Sequence, residues 1–428
     1  MKRPYRAPPS RPSQAPSGAV VVNGYSARWL NQDFCWVYPA EVVQRPPNLK
    51  PGQEVKLIDE QGKAYGVGLW DDGWISARRY RADEGPIDAA LIHSRLDLAY
   101  ALRQQIVEPN TTAYRLVNAE NDELPGLRVD IWGHYATITL DAPGVAPLID
   151  WVCAWLDEHL SPRGVYLHWR PDPREKARFE PPIPAGLIRG HAPPGDVRVT
   201  ERGLTCLVRP ALGKDVGLYT DMRANRAMLE PYWGGRRVLN LFAHTGFFSV
   251  AAAANGASEV VSIDLSESAL ERAEANFVAN ELDPSAHLFF AEDVRAALDR
   301  LRRAGERFDL VILDPPAFSH GPEGVMSAGK DYPRLVAACL RVMEPGGWLV
   351  AALNQGEVSP RDFHNAVRDG ARRAERPVQH LYDGGQAPDH PAAAHFPEGR
   401  YLKFGVWRCM DAPPPPPLGL AVDPSLSA

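Results

Sequence analysis

The chain has 428 residues, enough for two to three domains with separate cores, and its 45% hydrophobic content is that of an ordinary globular protein. Its net charge of −6 argues mildly against a dedicated nucleic-acid binder. No run of about 18 uninterrupted apolar residues could span a membrane, and the start Met1-Lys2-Arg3-Pro4 lacks the apolar segment of a secretion signal, so a cytoplasmic protein without a membrane partner is expected. The five cysteines, at 35, 153, 206, 339 and 409, are odd in number, form no Cys-x-x-Cys pair and lie among apolar neighbours. That pattern predicts five buried thiols, no disulfide framework and no metal.

Taken in order, residues 1–18 are rich in Pro and Ser, with Lys2, Arg3, Arg6 and Arg11 and no acid, and are expected to be a disordered tail. Residues 19–85 alternate short apolar runs with turn signals at Pro51-Gly52 and Asp71-Asp72-Gly73, as a small β-rich domain does. Residues 88–195 read as a middle α/β module. It comprises a helix from Leu91 to Val107, strands between Tyr114 and Leu140 turning at Asn121-Asp122 and Gly133, a helix from Val145 to Leu160, and a closing Pro193-Pro194-Gly195. Between 161 and 237 there are 14 Lys or Arg against 8 Asp or Glu, either a solvated basic face or a surface for a phosphate backbone. Residues 200–410 make the third domain, entered by a strand at Gly203–Val208 and a helix from Arg223 to Trp233, and 411–428, with five consecutive prolines, form a second disordered tail.

The third domain is organised around Val238–Asn255. It starts as an apolar strand, breaks at His244-Thr245-Gly246 and continues as an alanine-rich helix. A glycine at such a turn lets backbone approach a ligand, and the N–H groups opening the helix favour a carboxylate or phosphate. The next apolar run ends in Asp264, a third unit ends at Ala291-Glu292-Asp293, and the strand Phe308–Leu313 runs into Asp314-Pro315-Pro316. Acids past the carboxyl ends of successive strands mark the ligand edge of a doubly wound α/β sheet. The absence of Gly-x-Gly-x-x-Gly makes a nicotinamide dinucleotide the poorest of the nucleotide ligands. Further on, Phe318–Gly329 reads as a long loop. A helix follows from Asp331 to Met343 with Pro333 in its first turn, then a strand Trp348–Leu353 ending at Asn354-Gln355, a helix Phe363–Ala374, and closing strands at Val378–Tyr382 and Tyr401–Cys409.

Asn-Leu-Phe-x-x-Thr-Gly at 240–246, Asp264, Asp293 and Leu-Asp-Pro-Pro-Ala-Phe at 313–318 resemble the motifs of class I S-adenosylmethionine-dependent methyltransferases. The stretches 114–127, 217–223, Asp389-His390-Pro391 and 397–403 narrow the likeness to the bacterial large-subunit rRNA cytosine-C5 methyltransferases that carry an N-terminal PUA domain. The resemblance covers about residues 20 to 410. It implies a Rossmann-like C-terminal domain, a PUA-like domain at 19–85, S-adenosylmethionine as cofactor and large-subunit (23S) rRNA as partner; the sequence sets no oligomeric state and permits a homodimer. It further implies that Asn240, Phe242, Thr245 and Gly246 approach the methionine part, that Asp264, with Ser266 beside it, accepts from the ribose, that Asp293 lies near the adenine, and that Tyr219, Asp221 and Arg223 lie over the cofactor. Asp314 belongs to both the cofactor and the catalytic set. Both Asp264 and Asp293 also stand where helix caps stand. One departure concerns Arg28–Tyr38, which carries little of the positive charge found there in relatives and leaves RNA contact by this domain in doubt.

A second departure bears on the chemistry. Carbon 5 of cytosine is a poor nucleophile and needs a cysteine to add at the neighbouring carbon. The two places where the family carries that thiol hold Ala317 and Asn354, while Cys339 falls on the apolar face of a helix. A ring or exocyclic nitrogen needs only orientation, which Asp314 and Asn354 could supply by hydrogen bonds, with Phe318 stacking on the base or merely packing its loop. Direct transfer to a base of rRNA is the leading expectation. The alternatives are the C5 enzyme with an unrecognised thiol, and an RNA-binding assembly factor that keeps the cofactor pocket without turnover.

Overall fold

Short runs of alternating and continuous β-branched residues build the first half of the chain, because such side chains pack well on pleated surfaces. In the computed structural model, residues 18–172, 179–316, 318–321 and 324–410 are described, without the side chains of Lys214, 318–321 and 324–330. Contacts divide the chain into two units: residues up to Arg223 together with Gln386–Arg400, and Ala224–Gly385 together with the segment from Tyr401. The division falls later than residue 200 and returns 386–400 to the first unit, a long-range connection that no local pattern announces. Both expected disordered tails lie outside the described residues, apart from Gly18.

In the first unit, β1 (Ala19–Val22), β2 (Trp36–Val37), β3 (Val42–Gln44), β4 (Glu54–Asp59), β5 (Ala64–Trp70) and β6 (Ala77–Arg81) form one sheet in the order β2-β6-β5-β4-β1-β3. Val20, Val22, Leu57 and Trp70 fill its core. A helix that the sequence reading did not foresee, α1 (Gly24–Leu30), is capped by Asn23, whose side chain accepts from the Ser26 N–H at 2.9 Å. The aromatic residues of the weakly basic 28–38 stretch pack inward: Phe34 stacks on Phe396 with centroids 5.6 Å apart, and the Trp36 indole donates to Glu120 at 2.9 Å.

The middle sheet comprises β7 (Ala113–Asn118), β8 (Leu127–Trp132), β9 (Tyr135–Leu140), β10 (Gly164–Trp169) and β11 (Gly186–Gly190), in the order β11-β10-β9-β8-β7. It shares a core with α2 (Ala89–Ile106) and α3 (Ile149–His159). The helix expected from Val145 starts as a 3₁₀ turn over Pro143–Leu148, because Pro147 withholds a donor. A ribbon of β12 (Val197–Glu201) and β13 (Leu204–Val208) completes the unit. Its tie to the middle sheet, Thr112 N–H to Thr200 carbonyl at 2.8 Å, is why it belongs here.

Three of the stretches that carried the family likeness meet in one buried ion network. The Arg223 guanidinium, 2% exposed, donates to Asp389 at 2.7 Å, Asp389 also accepts the Arg115 N–H at 2.9 Å, and Arg103 joins Asp122 at 2.6 Å to the Asp389 carbonyl at 2.8 Å. Burial alone would raise the Asp389 carboxyl, but His390, Arg223 and the Arg115 amide hold it well below the usual carboxylate range. Within the basic stretch 161–237, Arg189 pairs with Asp150, Arg202 with Glu108 and Arg237 with Glu259 and Glu306, all of them pairs that solvent reaches.

In the second unit, α4 (Arg223–Leu229) opens the chain and stops near Pro231, four residues short of the expected Trp233. The strands β14 (Arg237–Leu241), β15 (Glu259–Asp264), β16 (Leu288–Ala291) and β17 (Phe308–Leu313) alternate with α5 (Phe247–Ala254), α6 (Glu267–Ala279) and α7 (Val294–Arg303). Phe318–Gly329, expected as a loop, holds a hairpin of β18 (Phe318–Gly321) and β19 (Gly324–Ser327). Then come α8 (Ala328–Leu340), β20 (Met343–Asn354), α9 (Pro360–Ala374), β21 (Val378–Gly384) and β22 (Leu402–Cys409). The helix α8 starts earlier than Asp331 and carries Pro333 inside it rather than in its first turn. The sheet order is β16-β15-β14-β17-β20-β22-β21, with the first five strands parallel, β22 antiparallel to β20, and β21 antiparallel to β22. Leu239, Val261, Val311, Leu349, Val336 and Phe363 lie in its core, each such burial contributing about 1.5–3 kcal/mol. Among the described residues no helix is long and apolar enough to cross a membrane.

Removing one partner of a buried ion pair costs about 3–5 kcal/mol, so Arg223→Ala is expected to lower stability by that amount in denaturant melts at pH 7. Because the folded carboxyl is depressed, the Asp389 contribution is present above the unfolded value of about 4 and is lost below it. The gap between parent and Arg223→Ala should therefore narrow as pH falls towards 3.

Candidate active site

Strand order reverses at β14: β15 and β16 lie on one side and β17 and β20 on the other. The crevice at the carboxyl ends beside such a switch point is where open α/β sheets take ligands. The residues at that edge are the turn 242–246 after β14, Asp264 ending β15, Glu292 and Asp293 after β16, Asp314 after β17 and Asn354 ending β20.

The turn is unusual in its backbone. Phe242, His244 and Gly246 have φ of 57°, 51° and 69°, three left-handed residues in five, two of them with side chains. Surrounding contacts hold this conformation. Asp264 receives the His244 N–H at 2.8 Å on one oxygen and the Ser266 N–H at 2.9 Å on the other. The Asn276 amide, fully buried on α6, donates to the Thr245 carbonyl at 2.9 Å. Gly246 is the N-cap of α5, and a Cβ placed on it would lie 2.6 Å from the Ala273 Cβ. Its lack of a side chain therefore serves the close approach of α5 to α6.

Asn240 and Thr245 are both 2% exposed. The Asn240 amide donates to the Ser249 hydroxyl at 2.9 Å, which in turn lies 2.8 Å from the Ser262 hydroxyl, a buried polar chain joining β14, α5 and β15. The two acids differ. Asp293 is the N-cap of α7, accepting from Arg295 and Ala296 N–H groups at 2.9 and 3.2 Å, as the cap reading requires. Asp264 is not a helix cap, because Ser266 fills that place on α6.

On the other side of the switch point, Asp314 is half-buried and Asn354 is exposed at neighbouring strand ends, Leu313 pairing with Ala351. Tyr332 on α8 donates to the Ala352 carbonyl at 2.8 Å, and burial together with the Asp314 charge pushes its hydroxyl well above the usual phenol range. Lys403 on β22 is 6% exposed, donates to the Tyr401 carbonyl at 3.0 Å and to the Gln355 carbonyl, and burial lowers it to about 8. Phe318 opens β18, with its side chain outside the described residues. Tyr219, 49% exposed, Asp221, whose carbonyl accepts the Ala387 N–H at 2.8 Å, and Arg223 belong to the first unit.

All five cysteines are buried. Cys339 packs with Leu335, Val336 and Leu340 in the core, and burial pushes its thiol far up, away from the thiolate that nucleophilic addition needs. Sequence reasoning passed over Ser249, Ser262, Asn276, Tyr332 and Lys403. The available signal was a polar residue inside an otherwise apolar run, as in Val260-Val261-Ser262-Ile263 and Leu402-Lys403-Phe404.

The chain is similar to known proteins over most of its length. A family model described as S-adenosylmethionine-dependent methyltransferase matches residues 178–397, and one described as a PUA-like domain matches 20–81. The ribosomal RNA large subunit methyltransferase I of Erwinia tasmaniensis is 33% identical over 372 residues, 86% of this chain and 93% of that protein. Its namesake from Salmonella arizonae is 32% identical over 378 residues, 88% and 93% of the respective chains. Among solved structures, a methyltransferase complexed with SAH superposes with a TM-score of 0.82 at 22% identity, covering 91% of this chain and 99% of that one. An S-adenosylmethionine-dependent methyltransferase from Streptococcus mutans gives 0.79 at 22% identity with the same coverage. At that identity the superpositions speak for the fold alone.

The packing at Gly246 yields a test. Gly246→Ala is expected to lose about 2–4 kcal/mol through a left-handed Cβ and the clash with Ala273. Thermal denaturation of the variant checks it.

Proposed function

The chain belongs to the S-adenosylmethionine-dependent methyltransferase family, and from that premise we propose that it methylates a base nitrogen of large-subunit (23S) rRNA by direct transfer. The rRNA substrate rests on the relatives named above and the nitrogen target on one observation: every thiol is buried, and the strand end at 354 carries an asparagine.

The cofactor supplies an electrophilic methyl group on a sulfonium. In our reading Asp264 has a double task, fixing the turn through the His244 N–H while its remaining lone pairs accept ribose hydroxyls, with Ser266 at its side. Phe242, Thr245 and Gly246 shape the wall for the methionine part. Asn240 acts through Ser249, as a positioning group. Asp293 lies towards the adenine while capping α7, and Arg223 holds the segment of Tyr219 and Asp221 in place through Asp389.

Asp314 and Asn354 hold the base edge. The Asn354 amide offers both a donor and an acceptor, and Asp314 accepts an N–H and takes up the proton that an exocyclic nitrogen gives up on methylation. A ring nitrogen with a free lone pair, such as guanine N7, needs no proton acceptor, only alignment. Phe318 stacks on the base. The protein works in the cytoplasm, and a C5 enzyme, the second reading, lacks an accessible nucleophile.

The test is transfer of labelled methyl from S-adenosylmethionine to total rRNA from cells lacking this gene, with the product nucleoside identified by mass spectrometry. Labelled methylguanosine or methyladenosine is expected, and Asp314→Ala should lower the rate by about 10²–10⁴-fold. Labelled 5-methylcytidine, or an active Asp314→Ala enzyme, overturns the reading, and absence of label from every rRNA favours the assembly factor.

A further inference from the structure

Away from the ligand edge, α9 and the edge strand β21 bring together three side chains with metal-binding chemistry. His364 on α9 and His380 and Asp383 on β21 each offer a ligand atom, and these atoms all lie within 4.8 Å of one another. Both Nε2 atoms converge on the same carboxylate oxygen, Asp383 Oδ1, at 2.9 Å from His364 and 3.1 Å from His380.

The backbone arranges this convergence. Residues three apart on a regular strand point to opposite faces. Here a bulge lies between His380 and Tyr382, so that His380 pairs with Trp407 and Asp383 with Gly405, two positions apart on β22 and therefore on one face. The Trp407 indole lies across Gly405, where a Cβ would come within 2.4 Å of the ring, and makes a floor under both imidazoles, with centroids 5.4 Å from His364 and 5.3 Å from His380. Trp407 is 3% exposed, while the three ligand side chains are 34%, 38% and 57% exposed. The site is thus rigid below and open above.

We propose that His364, His380 and Asp383 bind a divalent transition-metal ion of the Zn2+ class, clamping the edge strand β21 to α9. Two imidazole nitrogens and one carboxylate select Zn2+ and its first-row neighbours over Mg2+ or Ca2+, which take oxygen donors. Three protein ligands leave the outward position for water. The cysteine pattern gave no hint of such a site because no cysteine takes part. The clamp has a structural use: β21 is the outer strand of the sheet, with Leu381 and Tyr382 41% and 44% exposed, and pinning such an edge opposes fraying and strand addition. The proposal is independent of the methyl-transfer reading.

The experiment is a Zn2+ titration of the chelator-treated full-length chain against a chromophoric chelator at pH 7.5, with melting temperature followed in parallel. One equivalent should bind and raise the melting temperature. His380→Ala and Asp383→Ala should weaken binding by at least about 10- to 100-fold, the cost of losing even an outer partner of a metal ligand. His191→Ala, at an exposed histidine elsewhere, should change nothing. Co2+ in the parent protein should give the d–d absorption of a four- or five-coordinate centre, a readout that needs no variant to fold. The proposal is overturned by an absence of saturable binding, by a Co2+ spectrum of the hexaaquo type, or by a folded His380→Ala protein that binds as the parent does.

Discussion

The hydrogen bond from the His244 amide to Asp264 is the constraint on which the second unit's site depends. A turn with left-handed residues at 242, 244 and 246 is costly in isolation, at roughly 1–3 kcal/mol for each residue held in a sparsely populated region. It persists because a carboxylate at the end of β15 fixes one amide, Asn276 fixes the Thr245 carbonyl, and Gly246 lets α5 close on α6. Remove the carboxylate and both the turn and the placement of the first helix lose their restraint. Backbone conformation, side-chain charge and helix packing are therefore one device, and it lies at the reversal of strand order.

The first unit is held differently. Its organising group is Asp389, a carboxylate with no exposure, reached by Arg223 and by the Arg115 amide, with Arg103 on its carbonyl. Charges this deep are tolerated only when each is paired and hydrogen-bonded. The network draws residues about 110 and 220 from the chain start onto a loop near 390, and so explains why the three stretches go together in the sequence.

Much of this was legible beforehand. The parallel strands of the second unit are continuous apolar runs ending in acids, and Val238–Leu241, Val260–Asp264 and Phe308–Leu313 were readable because strands buried on both faces show little else. Helix interiors such as Leu91–Val107 were readable from their period. Helix ends were not. Pro147 and Pro231 cut elements short, Ser359 started α9 before Phe363, and α8 absorbed Pro333. At the site, sequence supplied the acids at the strand ends. It did not show that the Asn240 amide is tied to Ser249, or that Arg223 pairs with a residue 166 positions away. Each of these depends on which polar partner lies across a gap in the chain, and no local pattern encodes that. The histidine cluster was hidden for the same reason, since only a bulge brings His380 and Asp383 to one face.

The central claim is that Asp264 both holds the turn and receives the cofactor. Calorimetric titration of S-adenosylmethionine into the parent protein and into Asp264→Asn tests it most directly. Asparagine keeps the shape and one acceptor but loses the charge, so affinity should fall by about 10- to 100-fold, the worth of a hydrogen bond to a charged group, with the melting temperature lowered as the turn loosens. An Asp264→Asn protein that binds the cofactor as tightly as the parent would contradict the account.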